Sequence, residues 1–198
     1  MTILILQIIA TLCGGAMVDA VKTDVTEAAE ARLETLTEGL LEDSPKDLTR
    51  ETAREHALAA LSAETEHVSA ELLLGIAWRE SHYHQLAKPQ CGVVQVTRSE
   101  IRRQYGRQIT CQELLDEGLA AQYAVGATAL EEHMKTCKRM KRGTVKCMLN
   151  SYAEGPKAGR RGWGVKGCKA KTHCDRSTVP LYHARRIASG GWKRDGEV

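Results

Sequence analysis

With 198 residues, 42% of them hydrophobic, the chain can bury one respectable core and hardly a second. Its formal net charge of +3 conceals a split, because residues 24 to 66 carry 12 acidic and 4 basic side chains while residues 135 to 198 carry 4 acidic and 17 basic ones. A basic half favours a polyanionic partner, yet Phe is absent, aromatics are only 4% and no nucleic-acid-binding signature is present, so an anionic cell wall surface is expected and nucleic acid is not.

The opening "MTILILQIIATLCGGAMVDA" is apolar from Ile3 to about Leu12, then small, with Val18 and Ala20 spaced like the −3 and −1 positions of a cleavage site. Residues 1–20 are expected to be a signal peptide, with an N-terminal anchor as the alternative; removal would leave no stable membrane span. Residues 21–62 read as an acidic helical extension. Val25, Ala29, Leu33, Leu36 and Leu40 recur at three- and four-residue spacing, Pro45 breaks the pattern, and a second helix runs from about Leu48 to Leu61 through Ala53, Ala57 and Leu58.

The main domain is expected over residues 63–192, with 193–198 as a tail. "HVSAELLLGIAWRES" starts a third helix, capped by Ser69, with Glu71 in its first turn, and apolar nearly all round, hence buried. "GVVQVT" is the longest stretch with any strand-like alternation. A fourth helix is predicted over about Glu113–Met140 and a fifth over Val145–Tyr152, closed by Glu154, Gly155 and Pro156. A Gly-rich loop around Trp163 follows, then a last helix in "PLYHARRIAS". The fold class is therefore all-α.

Without Cys13, six cysteines remain: Cys91, Cys111, Cys137, Cys147, Cys168 and Cys174. An even set in an exported chain suggests three disulfides, with Cys168 and Cys174 the nearest local pair. No C-x2-C pair occurs, and His82 with His84 lack a third ligand, so no metal or other cofactor is expected.

Leu72, Ile76 and Glu80 fall four apart, on one side of the third helix. A carboxyl at the end of an apolar stripe loses solvation, which disfavours its charged form and suits it to general-acid work. The alternative is that the helix surfaces there and Arg79 and Glu80 form an ordinary ion pair. Trp78 belongs to the core, and Trp163 is either a sugar-stacking ring or a loop anchor.

"LLLGIAWRESHY", then "CGVVQVT", then "CMLNSYAEGP" together resemble the three-part signature of the soluble lytic transglycosylases and goose-type lysozymes: a helix ending in Glu-Ser, a Gly-x-x-Gln loop, and a later Ala-Tyr-Asn-Ala-Gly-Pro segment. The match covers about residues 65 to 190. The resemblance implies a disulfide-stapled lysozyme-like domain in which Glu80 is the catalytic acid/base and Ser81 follows it. It also implies that Gly92 and Gln95 belong to the loop lining the sugar cleft, and that Tyr152 hydrogen-bonds near Glu80, with Gly155 and Pro156 closing the motif. Three departures are visible: a Glu80–Gln95 interval about three residues shorter than usual, Val93-Val94 in place of Leu-Met, and Ala153 in place of asparagine.

Glycosidic cleavage commonly uses a second carboxylate. Glu100, Glu113, Asp116 and Glu154 are available, but the first three stand among charged neighbours that look exposed. The expected activity is therefore single-glutamate cleavage of the bond between MurNAc and GlcNAc in peptidoglycan glycan strands, closing a 1,6-anhydro ring, in a secreted or periplasmic protein. The competing reading is an inactive lysozyme-like scaffold that binds cell wall or nucleic acid.

Overall fold

A computed structural model of the chain describes residues 14–43, 48–85, 90–141, 144–154 and 178–188. In order, the helices are α1 (Gly14–Asp43), α2 (Arg50–Ser62), α3 (Ala70–Ser81), α4 (Arg98–Tyr105), α5 (Cys111–Asp116), α6 (Leu119–Arg139), α7 (Val145–Glu154) and α8 (Thr178–Ala188). Among the described residues there is no strand, only an isolated bridge between Cys91 and Val96. The chain divides into two compact units, Met1–Glu34 and Thr35–Val198, so the boundary falls within α1. Of the first unit the described part is helical from Gly14, running unbroken through Val18 and Ala20. No helix among the described residues is long and apolar enough to cross a membrane.

In the second unit α6 is the central element, touched by α2, α3, α4, α5 and α7, while α8 lies along α3. The reason is composition: α6 buries Tyr123, Val125, Leu130 and Met134, and α3 buries Leu72, Leu73, Leu74, Ile76 and Ala77. Each fully buried aliphatic of this kind contributes roughly 1.5–3 kcal/mol. The approach of α8 to α3 is close enough to need a glycine, since a Cβ on Gly75 would stand 2.3 Å from the Pro180 carbonyl oxygen. Ser69 caps α3 as its sequence predicts, accepting from the Leu72 N–H.

Four local expectations are corrected. Leu58 is 57% exposed, because the inner face of α2 is Ala53, His56, Ala57 and Ala60, a three-and-four spacing that leaves Leu58 off the stripe. The predicted fourth helix is two, α5 and α6, parted where Gly118 takes φ +88°, outside the helical region. Helix α4 was not predicted; it holds one buried aliphatic residue, Ile101, and so has no apolar period to read. "GVVQVT" is a closed loop, its ends joined by the Cys91–Val96 bridge.

Two disulfides are formed, Cys91–Cys111 and Cys137–Cys147. The first ties the closed loop to α5 and the second ties α6 to α7. Cys168, Cys174, Gly155, Pro156 and Trp163 lie outside the described residues, as does the start of the expected signal peptide.

Candidate active site

Helix α3 delivers the site. Its last turn carries Arg79, Glu80 and Ser81, and it is stopped by His82 in the left-handed region (φ 51°, ψ 42°), followed by Tyr83 at φ 65°. Two successive non-glycine residues there are held by tertiary contact. Tyr83 is buried, its ring 5.2 Å from that of His56. Trp78 is a packing residue, stacked on His183 with ring centroids 3.5 Å apart.

The Leu72-Ile76 stripe is buried as read, and Glu80 at its end keeps 20% of its side chain exposed. Its carboxylate contacts the Arg79 guanidinium. The ion pair weighed as an alternative is thus what the helix end displays, on a helix whose interior is otherwise dry.

The next residue ties α3 to the closed loop. The Ser81 hydroxyl donates to the Val93 carbonyl at 2.7 Å and lies 3.0 Å from that of Ala77. Inside the loop Cys91 and Val96 exchange both backbone hydrogen bonds (2.9 and 2.8 Å), and the Gln95 amide N–H and side-chain Nε2 both donate to Gly92 O. Gly92 (φ 75°) makes this turn. Gln95 also has positive φ and is 5% exposed, with its side-chain amide turned back into the loop.

Two further helices grip the same loop. From α7 the Tyr152 hydroxyl donates to the Val94 carbonyl at 2.6 Å. Burial, then the charges of Glu100 and Glu80, hold the Tyr152 proton on well above the usual phenol range, so Glu80 reaches Tyr152 through its field. From α6 the Gln122 side-chain oxygen accepts from the Val93 N–H at 3.1 Å, while its Nε2 donates to Gln85 at 2.9 Å. A Cβ on Gly126 would stand 2.7 Å from a Val94 methyl, so this backbone is pressed against the loop.

The loop therefore has side-chain partners from three helices. Gln122 carries no motif, though a glutamine inside "AAQYAVGATAL" is the kind of polar residue on an apolar face that needs a partner.

Glu100 corrects the expectation of an exposed carboxylate. It is 9% exposed, its Oε2 accepts from Thr97 N (2.7 Å) and Thr97 Oγ1 (2.8 Å), and its Oε1 lies 3.8 Å from His133 Nε2. Burial acts to raise its pKa, but the nearby His133 imidazole and the hydrogen bonds from Thr97 outweigh it and hold the carboxyl below the ordinary range. The readable signal was Thr97-x-x-Glu100, a capping box. The same box at Thr110 and Glu113 leaves Glu113 exposed as expected, and Asp116 pairs with Gln112 on the surface.

Glu100, His133, Tyr152, Ser151, Ala153 and Arg103 are among the residues lining a cleft of ≈ 660 Å³. The His133 ring meets Tyr152 edge-on, centroids 6.0 Å apart. Tyr152 thus lines the cleft with Glu100 while its hydroxyl holds the Val94 carbonyl, next to the Val93 carbonyl that Ser81 holds. Chemically the cleft wall offers a fixed carboxylate, an imidazole and a phenol. No family model, curated protein or solved structure matches the chain.

Proposed function

We propose that the chain cleaves the glycan strands of peptidoglycan, with Glu80 as its single acid/base. What supports this most is convergence: the three segments that carry the resemblance are fastened together, Ser81 to Val93 and Tyr152 to Val94. In this scheme Glu80 protonates the oxygen between MurNAc and GlcNAc, then takes a proton from the muramyl 6-hydroxyl as that oxygen closes the 1,6-anhydro ring. Substrate entry has to exchange the Arg79 contact for the glycosidic oxygen. An exported location fits the two disulfides, which persist in oxidising compartments. The basic half then meets an anionic wall.

The test compares wild type with Glu80→Gln on purified peptidoglycan. The substitution keeps the shape and removes the proton, so a loss of at least ~10²-fold is expected. Mass spectrometry should find muropeptides lighter by one water than reducing ends. Unchanged activity in the variant would leave the resemblance as one of scaffold only; reducing ends in the products would mean hydrolysis.

A further inference from the structure

A carboxylate that caps a helix has no need to be buried, and the chain contains its own control. Glu113 Oε2 accepts from Thr110 N at 2.6 Å and Thr110 Oγ1 at 2.8 Å, matching within 0.1 Å the 2.7 and 2.8 Å of Glu100 to Thr97. Glu113 does this on the surface. Glu100 does it at 9% exposure, on the wall of a cleft, with its second oxygen toward an imidazole. Burying a carboxylate is costly, and two caps of equal geometry show that capping does not demand it.

We propose that Glu100 is the second carboxylate of the site, a fixed negative charge facing the positive charge that develops on the sugar as Glu80 protonates the leaving oxygen. The proposal rests on the glycan-cleaving function above. In the first step the Glu80 proton goes to the bridging oxygen, and the C1–O bond breaks with its electron pair on that oxygen. Positive charge then spreads over C1 and the ring oxygen, and Glu100 faces it without taking a proton. In the second step the 6-hydroxyl oxygen bonds to C1 and its proton returns to Glu80, leaving Glu100 unchanged throughout. The groups that face Glu100 suit a resident carboxylate: Thr97 donates twice from the start of α4, His133 stands opposite on α6, and Tyr152 on α7 keeps its proton. The two carboxylates come from different helices, and their neighbours meet on the closed loop: Ser81, next to Glu80, holds the Val93 carbonyl, and Tyr152, which lines the cleft with Glu100, holds that of Val94.

Glu100→Gln separates charge from capping, because glutamine at the third helical position still closes a capping box. On defined GlcNAc-MurNAc oligomers its kcat should fall about 10²-fold with KM little changed, the size of effect that follows loss of one preorganised charge-stabilising group. Glu113→Gln, the same change in the twin cap, should keep the wild-type rate. Glu100→Asp, which restores the charge, should recover part of the loss; an equal loss in both Glu100 variants assigns the defect to packing and overturns the proposal. Full activity in Glu100→Gln beside an inactive Glu80→Gln overturns it while leaving glycan cleavage intact. Oligomers left whole by the wild type, or an unaffected Glu80→Gln, overturn the function itself and this inference with it.

Discussion

Tyr83 and Tyr152 are both phenols whose burial pushes their pKa well up, so both stay protonated, and they differ in what the hydroxyl meets. Tyr152 donates to Val94 O at 2.6 Å; the buried Tyr83 hydroxyl has no hydrogen-bond partner among the described residues. Tyr83→Phe removes a desolvated donor that nothing compensates and is expected to be neutral or stabilising by up to ~1 kcal/mol. Tyr152→Phe orphans a carbonyl of the closed loop and should cost ~1–3 kcal/mol. Urea unfolding of the two variants checks this, and equal losses would refute the assignment. That Tyr152 belongs to the third segment of the resemblance could be read from the chain, but the partner of its hydroxyl could not. A motif names the residue and says nothing of which carbonyl the fold brings to 2.6 Å. Glu100 shows the converse, since its capping signature is present in the sequence while its charged neighbours are those of a surface residue.

At the scale of elements, the loop 91–96 is held by what surrounds it, and Gly126 of α6 is the sharpest test. Alanine there favours an isolated helix by up to ~1 kcal/mol, so propensity alone predicts a gain. The added Cβ would lie 2.7 Å from a Val94 methyl, nearer than packed carbon atoms come, so α6 and the loop must part. We expect Gly126→Ala to lower the melting temperature and, under the proposed function, to reduce glycan cleavage at temperatures where the variant is still folded, because Val94 is also the carbonyl that Tyr152 holds. A raised melting temperature with full activity would show the loop free to yield. What could be read beforehand follows the same physics. Helix α3 was legible because its apolar residues recur at the helical period and Ser69 caps it. Helix α4 was not, since one buried isoleucine makes no period. The loop reads as strand-like because Val93, Val94 and Val96 are all fully buried, as in a central strand, yet Val93 and Val94 bond to side chains of the surrounding helices and Val96 bridges back to Cys91 within the loop.

For the whole molecule, the shifted groups at His56, Glu100 and Glu131 act on stability in one direction. Desolvation lowers His56 from 6.5 to about 4. The neutral imidazole therefore accepts from the Tyr123 hydroxyl, 2.9 Å from Nδ1, which itself keeps its proton. Between those two values the unfolded chain binds the proton and the folded chain does not, so stability falls as pH drops through this window and levels off below about 4. Fully developed, the loss is on the order of 3 kcal/mol. Glu131 holds the 65–67 turn, accepting from the Thr65 hydroxyl, the His67 N–H at 2.9 Å and His67 Nδ1 at 3.0 Å. Burial works to raise its pKa, but those hydrogen bonds and His67 lower it on balance, as His133 and Thr97 do for Glu100. Both carboxylates have folded pKa values below 4.5, so they contribute stability that is present above that value and lost as pH falls through the folded pKa. Acid destabilisation should then come in two stages, His56 first and the carboxylates below it. His67 and His183 face Glu131 and Asp43, so the decisive quantity is the difference between wild type and His56→Gln, which keeps an acceptor for Tyr123. Urea midpoints at pH 7.5, 5.5 and 4 should show the wild type losing stability faster than the variant across the first stage, the two curves then running parallel. Parallel curves from pH 7.5 downward would mean that His56 is protonated in the folded protein, and that the buried α2–α6 contact it makes with Tyr123 is not the neutral pair described.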